Sequence, residues 1–219
     1  GGFDRSYWFQ DWDRYFSPSQ HFEDDAQLPR VSPDNGYYAT TAFAERAIGY
    51  LQDHAQRHAE QPFFLYLAFI APHFPLHALP EDIARYRDRY LEGWDVIRQR
   101  RWQRLHEMGI VNCDLAALET KLSPRYFKPD LLEKVGPGEI RQAVAWDELT
   151  AEQKRFQATK MAIHAAMVYR MDREIGRVLD QLRAMKAYEN TVIFFVSDNG
   201  ADATLLVRGE GPDRAAEPG

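Results

Sequence analysis

Cysteine is nearly absent. The 219 residues contain one, Cys113, so no internal disulfide can staple the fold, and one thiol says little about redox compartment. Long apolar runs are missing too: the longest, residues 63–71, is too short to span a bilayer and runs into Pro72-His73. Nor is there a basic surplus. Lys and Arg number 27 against 33 Asp and Glu, a net charge of −6, which leaves no electrostatic footprint for a nucleic-acid backbone. No internal repeat is visible, and no charged-then-apolar leader follows Gly1. What is present is an ordinary globular balance, 45% hydrophobic and 27% charged. Composition excludes a membrane span, a disulfide scaffold, a collagen and a disordered acidic tail, and it names no function.

The opening residues 1–8 are already dense in aromatics, and the close, with Gly209, Gly211, Pro212 and Pro218 among charges, reads as loop or frayed tail. Both ends read as cuts, so the chain is expected to be a fragment, one partial domain over residues 1–219 that is incomplete at both ends. Residues 3–22 carry no sustained period and are expected to form ordered loops. Ser32-Pro33-Asp34-Asn35-Gly36 is a turn cluster. A helix is predicted over 41–58, with Phe43, Ala47, Tyr50, Leu51 and His54 on one face. Residues 63–70 are apolar throughout, as in a strand covered on both faces. An irregular, charged excursion follows over about 72–150, with one or two helices in 83–108 whose Arg side chains face solvent. Thr150-Ala151-Glu152-Gln153 is a capping box. It opens a long amphipathic helix marked by Phe156, Ile163, Met167, Met171, Ile175, Val178, Leu182 and Met185. Residues 191–196 then form a second buried strand, ending at Ser197-Asp198-Asn199-Gly200.

This alternation predicts an α/β fold with a central, mostly parallel sheet flanked by helices. In such sheets ligands bind beyond the carboxyl ends of strands. Two places qualify. Asp198 and Asn199 offer a carboxylate and an amide oxygen, donors suited to a hard divalent cation; an ordinary Asp-Asn-Gly turn fits the same residues. His73, bracketed by Pro72 and Pro75, can donate to an anionic oxygen or exchange a proton; a structural histidine capping a carbonyl is the alternative. His77 has the same options.

Taken in order, several segments resemble the type I sulfatases, the arylsulfatase family of the alkaline-phosphatase superfamily. They are residues 62–69, Ala71-Pro72-His73-Phe74-Pro75-Leu76-His77-Ala78, Glu92-Gly93-Trp94-Asp95, Leu122-Ser123-Pro124-Arg125, Trp146-Asp147-Glu148-Leu149-Thr150, Met171-Asp172-Arg173 and Ser197-Asp198-Asn199-Gly200. The likeness covers nearly the whole chain. It implies an alkaline-phosphatase-like mixed sheet, hydrolysis of a small-molecule sulfate ester, and calcium as cofactor. By the same resemblance His73 would contact the sulfate group, and Asp198 and Asn199 would bind the calcium ion.

One departure is large. The family's nucleophile lies in a Cys/Ser-x-Pro-Ser-Arg motif and is modified to formylglycine, and no such motif occurs here. Phe16-Ser17-Pro18-Ser19-Gln20 has Phe and Gln in the decisive places, Cys113 has neither the Pro nor the Arg, and Asp24-Asp25 is an acidic pair that follows no expected strand. The nucleophile and the remaining acidic ligands are expected to precede Gly1. The resemblance thus implies an intact parent that hydrolyses sulfate esters and a chain that is itself inactive. The alternatives are a non-catalytic anion- or partner-binding relative, or a phosphodiesterase or phosphonate hydrolase of the same superfamily. The sequence leaves the compartment, periplasm or cytoplasm, and the oligomeric state open.

Overall fold

The computed structural model describes residues 2–11, 13–118, 135–140 and 142–201. The chain divides into two compact units. Among the described residues, one comprises those within 2–77 and 167–197, and the other those within 78–166 and 198–201.

In the first unit the aromatic opening is not all loop. It contains a three-stranded antiparallel sheet of β1 (Tyr7–Phe9), β2 (His21–Glu23) and β3 (Ala26–Gln27). The strands are too short for periodicity to reveal them, and cross-strand pairs hold them instead. Trp8 lies opposite Phe22, with ring centroids 4.3 Å apart. Asp24 therefore does follow a strand. It takes a left-handed turn conformation, φ 54°, between β2 and β3, and its carboxylate accepts from the Ser6 amide and from Arg5. The Ser6 amide bond above all, opposed by desolvation and helped by Arg5, holds that carboxyl below its ordinary range. Asp24 is thus a structural acid.

The turn cluster closes as a short 3₁₀ segment, Pro33–Asn35, with Gly36 at φ 75°. Helix α1 spans Ala39–Arg57. Its buried positions Thr40, Ala44, Ala47 and Leu51 recur at steps of four and three, the stripe of an amphipathic helix. Ala44, Ala47 and Leu51 pack with Val178 and Leu182, and Phe63, Leu65 and Leu67 lean on the same cluster.

Here the expected buried strands differ from the structure. Among the described residues neither 63–70 nor 191–196 pairs in a sheet. Phe63, Leu65 and Leu67 face the helices, whereas Phe64 is 79% and Tyr66 72% exposed. In the later segment Phe194 is 85% and Val196 80% exposed. Continuous apolarity records what a strand is suited to bury. A ladder also needs a neighbouring strand to accept and donate its hydrogen bonds.

The second unit opens with α2 (Pro80–Ala84) and α3 (Trp94–Glu107). α3 buries none of its residues, and Arg100, Arg101 and Arg104 on it are exposed, as their spacing predicts. The core of this unit is Trp146, Leu149 and Ala158, with Tyr90, Trp94, Ile140 and Val144 around it. The Trp94 and Trp146 rings meet edge to face at 5.0 Å. Helix α4 runs over Ala151–Ala184. The capping box is present: Gln153 N–H donates to Thr150 Oγ1 at 3.2 Å, and Thr150 N–H donates to Gln153 Oε1 at 2.9 Å. Residues 119–134 of the excursion, with Leu122-Ser123-Pro124-Arg125, lie outside the described residues.

His164 lies half-buried on the first part of α4, and burial lowers its pKa from the ordinary 6.5. The folded state therefore takes up this proton less readily than the unfolded chain. Stability fully present above pH 6.5 is lost as pH falls through 6.5 toward the lower folded value. His164→Gln should flatten that limb of the urea midpoint against pH; a slope identical to wild type would refute the assignment. No helix among the described residues is long and apolar enough to cross a membrane.

Candidate active site

The loop after residues 63–70 is shaped by its prolines. Ala71-Pro72 and Phe74-Pro75 are both cis peptides, and neither proline has an N–H to donate. Two amides are satisfied within the loop, His73 to Ile70 O at 3.0 Å and His77 to Pro75 O at 2.8 Å. The His73 side chain is exposed. Its Nδ1 lies 2.7 Å from the carbonyl oxygen of Phe74. A carbonyl can only accept, so Nδ1 donates in this contact. One edge of the ring thus caps a carbonyl, as the structural alternative expects, and Nε2 lies on the opposite edge.

Two further groups reach this loop. The Tyr15 hydroxyl donates to His73 O at 3.0 Å, and the Tyr38 hydroxyl donates to His77 O at 2.8 Å. Tyr15 is 0% and Tyr38 3% exposed. Burial pushes the Tyr15 phenol far above its ordinary pKa, so the hydroxyl stays protonated and remains a donor. Sequence reading missed both tyrosines. The only signal was aromatic density near the start of the chain.

Asp198 and Asn199 are exposed in the segment after residues 191–196. The Asn199 amide N–H donates to Asp198 Oδ1 at 3.0 Å, and Asn199 Nδ2 donates to Gly200 O at 2.7 Å. With the side-chain nitrogen so used, Asn199 would meet a cation through its amide oxygen. The donor set is therefore a carboxylate and an amide oxygen, the hard ligands that calcium takes. Two donors are fewer than the six to eight of a calcium sphere. Among the described residues no group of three or more His, Cys, Asp and Glu could hold a metal ion. The pair fits as part of a site. His73 belongs to the first unit, and Asp198 and Asn199 to the second.

The remaining candidates are structural. Ser19 donates through its amide and Oγ to Asp11 Oδ2, at 2.7 and 2.8 Å, and Ser17 is 2% exposed, so residues 16–20 form a buttressed loop. Cys113 is exposed, and its carbonyl accepts from Trp102 Nε1. His21, 5% exposed, bridges Tyr7 OH and Pro29 O. His54 Nε2 bonds Gln61 O beyond the end of α1.

A family model described as "Sulfatase" matches residues 2–217. The chain belongs to the sulfatase family. It is 38% identical over 170 residues to an uncharacterized sulfatase of Schizosaccharomyces pombe, an alignment covering 78% of this chain and 27% of that protein. It is 31% identical over 173 residues to the arylsulfatase of Klebsiella aerogenes, covering 79% of this chain and 32% of that protein. A sulfatase of Formosa agariphila is 26% identical over 161 residues, covering 71% of this chain and 25% of that protein. This sulfatase chain thus spans about a quarter to a third of the length of the relatives it matches. Sulfatase membership implies an alkaline-phosphatase-like α/β fold. His73, Asp198 and Asn199 all lie within the matched range.

Proposed function

We propose that the chain is the middle part of a sulfuric ester hydrolase of arylsulfatase type, whose substrate is a small-molecule sulfate ester. The sulfatase-family match over residues 2–217 carries this reading, and the likeness to an arylsulfatase supports the reaction class.

His73 would donate to a sulfate oxygen from Nε2–H as an imidazolium, or accept a proton at Nε2 as a neutral ring, since Nδ1 is engaged with Phe74 O. The Asp198 carboxylate and the Asn199 amide oxygen would hold calcium. When bound, calcium supplies positive charge to the sulfate oxygens, and formylglycine supplies the nucleophile. No Cys/Ser-x-Pro-Ser-Arg segment occurs in the 219 residues, so the nucleophile would come from outside this chain.

Two assays test the proposal. The 219-residue chain alone should leave p-nitrophenyl sulfate at the background rate with calcium present; clear turnover would overturn the inactivity of the chain. The longer protein should hydrolyse p-nitrophenyl sulfate in preference to bis(p-nitrophenyl) phosphate. There, His73→Ala should lower kcat/KM by about a hundred- to a thousandfold, the loss typical of a preorganised electrostatic donor. Preference for the phosphate diester would instead favour the phosphodiesterase relative, and unchanged kinetics in His73→Ala would remove His73 from the site.

A further inference from the structure

We propose that Tyr15 and Tyr38 are positioning residues for His73, holding the loop carbonyls on either side of the Phe74-Pro75 peptide and so fixing where the imidazole is presented. The proposal rests on the reading of His73 as the group that meets the sulfate.

In the loop from Ala71 to His77, Pro72 and Pro75 have no N–H to donate, so hydrogen bonds from outside help to set its position. Of the groups around it, Tyr15 and Tyr38 reach its backbone with hydroxyls that donate to His73 O and His77 O. Both rings are buried and stack on each other at 5.9 Å, so they form a packed platform. Tyr15 O also accepts from Ala39 N–H at 2.7 Å, which satisfies an orphan donor in the first turn of α1. Tyr38 immediately precedes α1, and its carbonyl accepts from Ala42 N–H. The platform is therefore locked to the start of a long helix.

From there the chain of control is short. His73 Nδ1 closes onto the next carbonyl, Phe74 O, so the ring plane follows the local backbone. Moving His73 O moves the ring. The His77 ring, edge-on to Tyr15 at 5.8 Å and tilted against Phe16 at 6.0 Å, seats the far side of the loop on the same platform.

The test compares hydroxyl deletions in the full 219-residue chain. Tyr15→Phe and Tyr38→Phe remove the hydroxyls that make the clamp hydrogen bonds and keep the rings. Tyr37→Phe removes a phenol bonded to Tyr7 OH, away from the loop, and serves as the structural control. The first readout is the His73 Cε1–H resonance without added anion, assigned with His73→Gln. The second is its response to inorganic sulfate. Tyr15→Phe should split or broaden the His73 signal and weaken its sulfate response by about two- to tenfold, the worth of one neutral hydrogen bond. Tyr37→Phe should lower the urea midpoint and leave both readouts unchanged. If Tyr15→Phe does not fold by circular dichroism, Tyr38→Phe carries the same expectation. A wild-type His73 signal in both clamp variants, or an equal change in Tyr37→Phe, overturns the proposal. A wild-type chain that ignores sulfate counts against the site reading alone, since the anion-free signal still decides the clamp.

Discussion

Gly93→Ala should destabilise the chain by about 2–5 kcal/mol and erase much of its near-ultraviolet tryptophan signal. Gly93 is the residue before α3, with φ 96° and ψ 157°, a region essentially reserved for glycine that costs an L side chain about 1–3 kcal/mol. A Cβ there would also lie 2.5 Å from Cδ1 and Cγ of Trp146, inside any real contact. Trp146 is 7% exposed and wedged against Trp94, and its backbone N–H donates to Asp95 Oδ2 at 3.3 Å, so it has no room to retreat. Overpacking of this kind adds about 1–3 kcal/mol. Gly109→Ala separates the two causes. Its φ is 69° but nothing lies within 4 Å of its Cβ, so only the backbone penalty should appear. Equal urea midpoints for the two variants would show that the Trp146 contact carries no weight.

Glu174→Ala should cost about 3–5 kcal/mol, the range for stranding one partner of a buried ion pair. Glu174 is 2% exposed on α4, an unusual place for a carboxylate. Arg177 Nη1 reaches its Oε2 at 2.5 Å, Arg170 Nη1 lies 3.6 Å from Oε1, and Thr41 Oγ1 donates to Oε1 at 3.1 Å. Arg170, 12% exposed, would lose this carboxylate from its surroundings. Glu45→Ala is the contrast. Its 3.7 Å pair with Arg177 is 59% and 46% exposed, so its loss should fall within about 1 kcal/mol. A Glu174→Ala midpoint as mild as that of Glu45→Ala would show the buried cluster to be incidental.

Helix α4 illustrates what pattern can determine. Its start at the Thr150–Gln153 box and its apolar spacing were legible because both are local, depending on residues three and four apart. The same holds for α1, whose observed limits Ala39–Arg57 differ from the expected 41–58 by two residues at one end and one at the other. The opening sheet was not legible. Its three strands have three, three and two residues, fewer than a period-two pattern needs. Residues 63–70 and 191–196 show the complementary limit, since apolar content states a capacity for burial and not the presence of a partner.

The candidate site divides the same way. Sequence alone picked out the residues proposed for the chemistry, the Pro-bracketed His73 and the Asp198-Asn199 oxygen pair, and showed that the 219 residues hold no nucleophile motif. Residue identity and near-neighbour order suffice for that. Only the tertiary structure decided that Tyr15 and Tyr38, 58 and 39 residues from the carbonyls they hold, clamp the His73 loop, and that Gly93 and Trp146 share one contact. Pairings at that separation depend on how the chain closes its long loops, which no local propensity encodes.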